Sequence, residues 1–159
     1  MYGSYPVNCY IEAAIARWRR RGFNPDLEPY IFNAEYNPLP AAASLSQINA
    51  TDTDAGFACF YLTYRGFPAG QVGPPTQNKY HETKVVVQFT RESDGYTFQD
   101  RPTELQNIAG VGHRPFEFIV PFWIPARSSW ETTASNSDPQ NAVTLAIAFH
   151  GAKVRLRSR

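Results

Sequence analysis

Between residues 116 and 124 every second side chain is apolar: Phe116, Phe118, Val120, Phe122 and Ile124. Strand side chains alternate between faces, so all five fall on one face of an extended segment. The period of two returns in Val143, Leu145, Ile147 and Phe149, with Thr144, Ala146, Ala148 and His150 opposite. The stretch between, rich in Ser, Asn and Asp, reads as a polar loop. Burying these nine apolar side chains gives roughly 13–27 kcal/mol of gross transfer free energy at about 1.5–3 kcal/mol each, so this unit is expected to nucleate the core. Pro121 and Pro125 lack the N–H that a ladder needs, which predicts an edge strand or a bulge. Past Gly151 the apolar phase moves to the even positions Val154 and Leu156, which predicts a bulge or kink at the glycine. Lys153, Arg155, Arg157 and Arg159 form a basic row, read as a flexible or edge-protecting tail, with binding of an acidic partner as the alternative.

Upstream, residues 45–48 and 56–65 read as strands separated by the turn-rich NATDTDAG. Residues 83–91 read as a half-buried strand, Val85, Val87 and Phe89 inward, that Ser93-Asp94-Gly95 turns into a hairpin with YTFQ. The Gly- and Pro-rich loop GFPAGQVGPPTQNKYH is long, and such loops are exposed and often make contacts. Residues 101–112 read as a polar connection.

The pattern contains one helix. Ile11, Ala14, Ile15 and Trp18 follow the i, i+3, i+4, i+7 spacing, Asn8 is placed as an N-cap, and Gly22 sits where a C-terminal glycine belongs. Its last turn holds Arg17, Arg19, Arg20 and Arg21. The helix dipole favours positive charge there, so an ordinary amphipathic helix is one reading and a docking element for an acidic partner or nucleic acid is the other. Residues 23–43 carry Pro25, Pro29, Pro38 and Pro40, a density that rules out a helix, disfavours a central strand and predicts an extended arm. Leu27, Tyr30, Ile31, Phe32, Tyr36 and Leu39 are too apolar to stay wet over such a length, so the arm packs on its own domain or on a neighbour.

Composition agrees with an all-β fold. The chain has 159 residues, enough for a single domain with its own core, and its 13 Pro, 10 Gly and 14% aromatics suit short extended segments joined by turns. A net charge of +1 with 18% charged residues argues against a dedicated nucleic-acid binder. Cys9 and Cys59 stand outside any CxxC pair and are either two buried thiols or one disulfide, free thiols being favoured. No signal-peptide pattern or membrane-length apolar run is visible, which gives the expectation of a soluble protein made in a cytoplasm.

Chemistry is scarce. His81, His113 and His150 lack metal-ligand spacing, and there is no nucleophile elbow, phosphate loop or HExxH. Asp52, Asp54 and Gly56 open like a calcium loop, but Thr63 stands where the closing Glu belongs, and Asx turns account for both aspartates. Asn49-Ala50-Thr51 is formally a glycosylation sequon. Glu104, Glu117 and Glu131 offer carboxylates for a glycosidase pair, for which only their spatial separation is diagnostic. No enzyme, cofactor or metal is expected.

RPFEFIVPFWIPARSSW, an Asn-rich turn, and NAVTLAIAFHGAKV together resemble the C-terminal half of small β-sandwich proteins found among the virion genes of tailed bacteriophages. Their shared form is Arg-Pro-Phe, a proline-bounded strand, a Ser-led strand and a final strand ending in a His-Gly or Leu-Gly turn. LSQINATDTDAGFACFYLTYRG is similar to an earlier segment of that family, and the likeness spans about residues 40–155. The resemblance implies an antiparallel, jelly-roll-like β-sandwich and an accessory virion protein of the capsid surface, neck, portal or fibre anchor, homo-oligomeric in the particle and binding other virion proteins. It implies no specific nucleic acid, no membrane and no catalytic residue. A carbohydrate-binding module, for which Trp123, Trp130 and Tyr64 must form an exposed coplanar row, and a small hydrolase are the alternatives. The expected organisation is a docking element over residues 1–43 and a sandwich over 44–159. The expected interface comprises Ile11, Ile15, Arg17, Trp18, Arg19, Arg20, Arg21, Tyr30, Phe32 and Tyr36.

Overall fold

The computed structural model describes residues 7–70, 84–110 and 115–158. In chain order the elements are α1 (Val7–Arg20), β1 (Phe23–Leu39), β2 (Ser44–Ala50), β3 (Gly56–Pro68), β4 (Val85–Arg91), β5 (Thr103–Glu104), α2 (Leu105–Ile108), β6 (Phe116–Ile124), β7 (Ser129–Asn136) and β8 (Val143–Ser158). The strands form two antiparallel sheets, ordered β1-β8-β3-β6 and β2-β7-β4-β5. Because the chain crosses between sheets at every connection except β4 to β5, this is the jelly-roll arrangement of an all-β sandwich, as the alternating patterns and the resemblance led us to expect.

The inner face of β8 is the one its period assigns: Leu145, Ile147 and Phe149 are at most 1% exposed. Against them lie Phe57 and Leu62 of β3, Val85 and Val87 of β4, Ile124 of β6 and Trp130 of β7. Trp130 stacks parallel to Phe57 at 5.9 Å and meets Phe149 and Phe32 edge-on at 5.6 and 4.8 Å, offset and T-shaped arrangements that ring quadrupoles favour. In β6, Phe118 and Phe122 pack on this core, Phe116 is 40% exposed, and the side chain of Val120 lies outside the described residues. The β6 strand is both an edge strand and irregular in register opposite Cys59 and Tyr61, so Pro121 interrupts no central ladder. Ile147→Ala is expected to cost about 2–5 kcal/mol by cavity formation. Phe118→Ala belongs at the low end of that range, and Thr144→Ala, at an outer-face residue whose hydroxyl donates to the Asn37 side chain, should cost little. Urea denaturation of the three variants checks the register, since equal losses at Ile147 and Thr144 would contradict it.

Several expectations change. The supposed polar loop before β8 contains β7, a central strand whose inward residues are Trp130, Thr132, Ala134 and Asn136. Two of those four are polar, which hid the alternation. Asn136 is tolerated inside because its side-chain amide donates to the carbonyls of Pro40 and Asn141, at 3.2 and 2.8 Å. The Ser-led strand that the resemblance implied is this one. The connection over residues 101–112 contains a single helical turn, α2, seating Leu105 in the core. Helix α1 starts at Val7, so Asn8 lies inside it rather than capping it, while Gly22 takes the left-handed φ of +83° expected after a helix end. Cys59 is a buried free thiol; the side chain of Cys9, like His81, His113 and most of the Gly- and Pro-rich loop, lies outside the described residues.

The largest correction concerns the proline-rich arm, which is β1. It pairs with β8 from Phe23 to Leu39 and is the edge strand of its sheet, with Ala34, Tyr36 and Leu39 in the core, so it belongs to the sandwich and not to a detachable docking element. Its prolines fit for a geometric reason. The backbone N–H and C=O of Glu35 are bound by the side-chain amide of Gln47, so they point away from β8. The register is unbroken from Phe23 to Tyr36, so the odd-numbered residues all present their backbone groups to that open side, Pro25 and Pro29 among them. Neither proline removes a ladder bond.

The phase change beyond Gly151 also has a different cause. Pairing of β1 with β8 runs through Gly151 without a shift, and the extra residue is Phe60 in β3. Ala152 and Val154 simply face the other way from Phe149, and they are buried because Trp18 of α1 covers that outer face. Beyond them β8 is no tail. Lys153 pairs with Asp52 at 2.9 Å and lies over the ring of Tyr30, Arg155 pairs with Glu28 at 2.9 Å and Asp54 at 3.0 Å, and Arg157 pairs with Asp26 at 3.4 Å. Both aspartates of the apparent calcium loop are engaged in these pairs. Hydrogen bonding to Asp52 raises the Lys153 pKa.

Two buried acids set the alkaline limit of the fold. Tyr36 donates its hydroxyl to the carbonyl of Thr132 at 2.5 Å, and burial, helped by the nearby Glu131 charge, raises its pKa. Burial likewise pushes the Cys59 thiol well up. Both groups hold their protons in the folded state at pH values where the unfolded chain releases them, near about 8.5 for the thiol and about 10 for the phenol. The stabilisation is therefore complete below those values and is lost as pH rises, by up to about 1.4 kcal/mol per pH unit for each group. Denaturation midpoints measured between pH 7 and 11 should fall accordingly, and Tyr36→Phe and Cys59→Ala should each flatten the slope.

Candidate docking surface

The outer face of the β1-β8-β3-β6 sheet is apolar at one end, and α1 lies across it. Trp18 packs on Ala58, Phe60, Ala152 and Val154 and meets Trp123 at a centroid distance of 5.7 Å. Trp123 lies flat on the sheet because Gly56 has no side chain: a Cβ there would come within 2.4 Å of its ring. The helix covers only part of the face. Beside it runs an open groove of about 640 Å³, walled by Leu27, Pro29 and Ile31 of β1 and by Phe60, Tyr61 and His150 across the sheet. Ile31 is 50% exposed in it. His150 stacks on Tyr61 at 4.4 Å and shares a 2.8 Å hydrogen bond with Thr63; its partial burial lowers its pKa. The ring is therefore neutral around pH 7.

Of the residues singled out from the sequence, Arg17, Arg19, Arg20 and Arg21 are exposed on or just after α1, and none makes an ion pair among the described residues. Ile15 and Trp18 are half-buried, and the side chain of Ile11 lies outside the described residues. Tyr30 is 36% exposed and sits under Lys153. Phe32 and Tyr36 do not belong to a docking surface: both face inward, Phe32 against Phe57 and Trp130 and Tyr36 in the core. Leu27 and Ile31, expected to pack on the domain or on a neighbour, and His150 shape the groove but were not among the residues assigned to the interface. The signal was present in the odd residues of β1, but the intervening prolines disguised their period.

The carboxylates singled out for catalysis are dispersed. Glu117 belongs to one sheet, Glu104 and Glu131 to the other. Glu104 pairs with Val86 and Glu131 with Thr90, on opposite sides of β4. Two strand spacings and four residues of rise separate their backbones by about 17 Å. No cluster of three or more His, Cys, Asp or Glu side chains among the described residues is arranged to hold a metal ion. Trp130 is fully buried, Trp123 lies beneath α1, and Tyr64 packs on the core, so the three make no exposed coplanar row.

Fold and surface define the chain as a jelly-roll protein with a basic helix laid on one sheet. No family model matches the chain, and no curated protein matches it.

Proposed function

We propose that the protein is a non-enzymatic structural component of a tailed-phage virion, a capsid decoration, neck or portal adaptor, or fibre anchor, that works by protein–protein assembly. The observation that carries the assembly part is the contrast in charge pairing on one sheet. Lys153, Arg155 and Arg157 are all paired with acids of their own domain, whereas the four arginines of the α1 terminus are left exposed beside an apolar groove. An apolar strip bordered by cations that make no ion pair among the described residues has the make-up of an interface with an apolar centre and a polar, steering rim. The virion part is supported by the resemblance of the strand and turn residues and by the jelly roll, an architecture that viral capsid domains share with lectins and cupins. The burial of Trp130 and the packing of half-buried Tyr64 on the core give the sugar-binding alternative less support, because stacking on a sugar needs exposed rings.

Cryo-electron microscopy of the source particle tests the proposal. The chain should appear at a fixed copy number, with the α1 face against a neighbouring subunit. Its absence from purified particles would sink the virion reading. Polysaccharide hydrolysis lost in Glu117→Gln or Glu131→Gln would replace it with an enzymatic one.

A further inference from the structure

We infer that the protein associates head to tail with itself, the basic α1 face of one copy docking on the outer face of the β2-β7-β4-β5 sheet of the next. This rests on the assembly reading above and names the partner as a second copy of the chain.

The first observation is how charge divides. Without Arg17, Arg19, Arg20 and Arg21 the chain keeps 11 basic (15 − 4) and 14 acidic residues, a balance of −3, so the rest of each molecule carries a net negative charge. The second is where unpaired acid lies. Trp130, Thr132 and Ala134 point into the core, so Glu131 and Thr133 point outward, and register places Ser46, Ile48 and Glu104 on the same outer side. Glu104 and Glu131 make no ion pair among the described residues, and at the rim Glu92 accepts a hydrogen bond from Ser129 without a cationic partner. No Lys or Arg has its side chain on that outer face among the described strand positions. The third is shape. Short hydroxyls bonded across strands, Ser46 to Thr133 at 2.9 Å among them, keep the face low and flat, and Ile48 stands on it 61% exposed. A helix bearing four guanidinium groups can lie on such a face and reach its carboxylates.

The two patches lie on the outer faces of different sheets, so one contact leaves the pair with one basic face free on one molecule and one acidic face free on the other. Such a heterologous contact repeats, closing into a ring or growing into a filament according to its rotation.

Sedimentation velocity of the full chain tests this. Wild-type protein should form species larger than a monomer at about 0.05 M salt, and the apparent dissociation constant should rise at least about tenfold by 0.5 M as exposed charges are screened. A variant with Arg17, Arg19, Arg20 and Arg21 all changed to Glu should be monomeric, as should a second with Glu92, Glu104 and Glu131 all changed to Lys. Mixed, the two should assemble, because each basic face again meets an acidic one. Circular dichroism of each variant confirms that it is folded. A monomeric wild type at low salt, continued assembly of either variant alone, or no assembly of the mixture would each overturn the inference. A monomer that cryo-electron microscopy nevertheless places in particles would leave the virion reading intact, and self-association without incorporation would leave only the inference standing.

Discussion

Deleting residues 1–40 is expected to yield a chain that does not fold. The cut removes α1 and all of β1, and with β1 go Tyr36 and Leu39, at most 2% exposed, the buried Ala34, and Phe32, which touches both Phe57 and Trp130. At about 1.5–3 kcal/mol for each large side chain, Phe32, Tyr36 and Leu39 represent roughly 5–9 kcal/mol. That is comparable with the whole stability of a domain, about 5–15 kcal/mol. The cut also exposes the inner flank of Leu145 and Phe149 and leaves β8, until then a central strand, with an open edge. A shorter deletion of residues 1–22 uncovers Trp123, Ala152 and Val154 but keeps both sheets, and should give a folded, weaker domain. Thermal unfolding and proton chemical-shift dispersion distinguish the two. Cooperative unfolding of the longer deletion would show that β1 contributes far less than its burial implies.

Gly151→Ala should be more damaging than the same change at Gly22, Gly56, Gly70 or Gly95. A Cβ at this position would stand 2.0 Å from the carbonyl oxygen of Ala58 and 2.8 Å from the ring of Phe57. The first obstacle is backbone, held by the bulge at Phe60 in β3, and it has no rotamer to adopt. The expected loss is at or beyond the upper end of the roughly 1–3 kcal/mol typical of overpacking. Gly56→Ala should cost less, because its closest obstacle is the tip of the Trp123 side chain, although the carbonyl of Ile124 at 2.8 Å limits the relief. Gly70→Ala meets nothing within 4 Å and should cost only about 1 kcal/mol, through its φ of +90°. Denaturant midpoints should therefore rank the variants Gly151 lowest, Gly56 next and Gly70 highest. A Gly151 variant no less stable than the Gly56 variant would mean that β3 and β8 can separate at the bulge.

The sandwich was legible wherever one face of a strand is purely apolar, as in β8 with Leu145, Ile147 and Phe149. It was not legible where a buried face carries hydrogen-bonding side chains. Thr132 and Asn136 in β7 are as inaccessible as their apolar neighbours, but nothing in a one-dimensional pattern announces that Pro40 and Asn141 will satisfy the asparagine. In β1 the prolines argued correctly against a central strand, and an edge strand that meets the core on alternate residues satisfies the same constraint. The helix arginines were visible in the sequence. Their lack of ion pairs among the described residues became apparent only when Lys153, Arg155 and Arg157 of the second basic row, equally visible, proved to be neutralised by Asp26, Glu28, Asp52 and Asp54.

The open side of β1 limits how its sheet can grow at that edge. A free strand edge is a template for any extended chain, and uncontrolled pairing there leads to cross-β fibres. Here two of the outward-facing residues are prolines with no hydrogen to offer, and a third, Glu35, is already occupied by a glutamine side chain that imitates a neighbouring strand. A would-be β-partner meets an interrupted row of donors and cannot register along it. Any contact made along this edge is thereby directed away from backbone zippering and towards side chains, where sequence, salt and geometry decide the partner and where association can be undone.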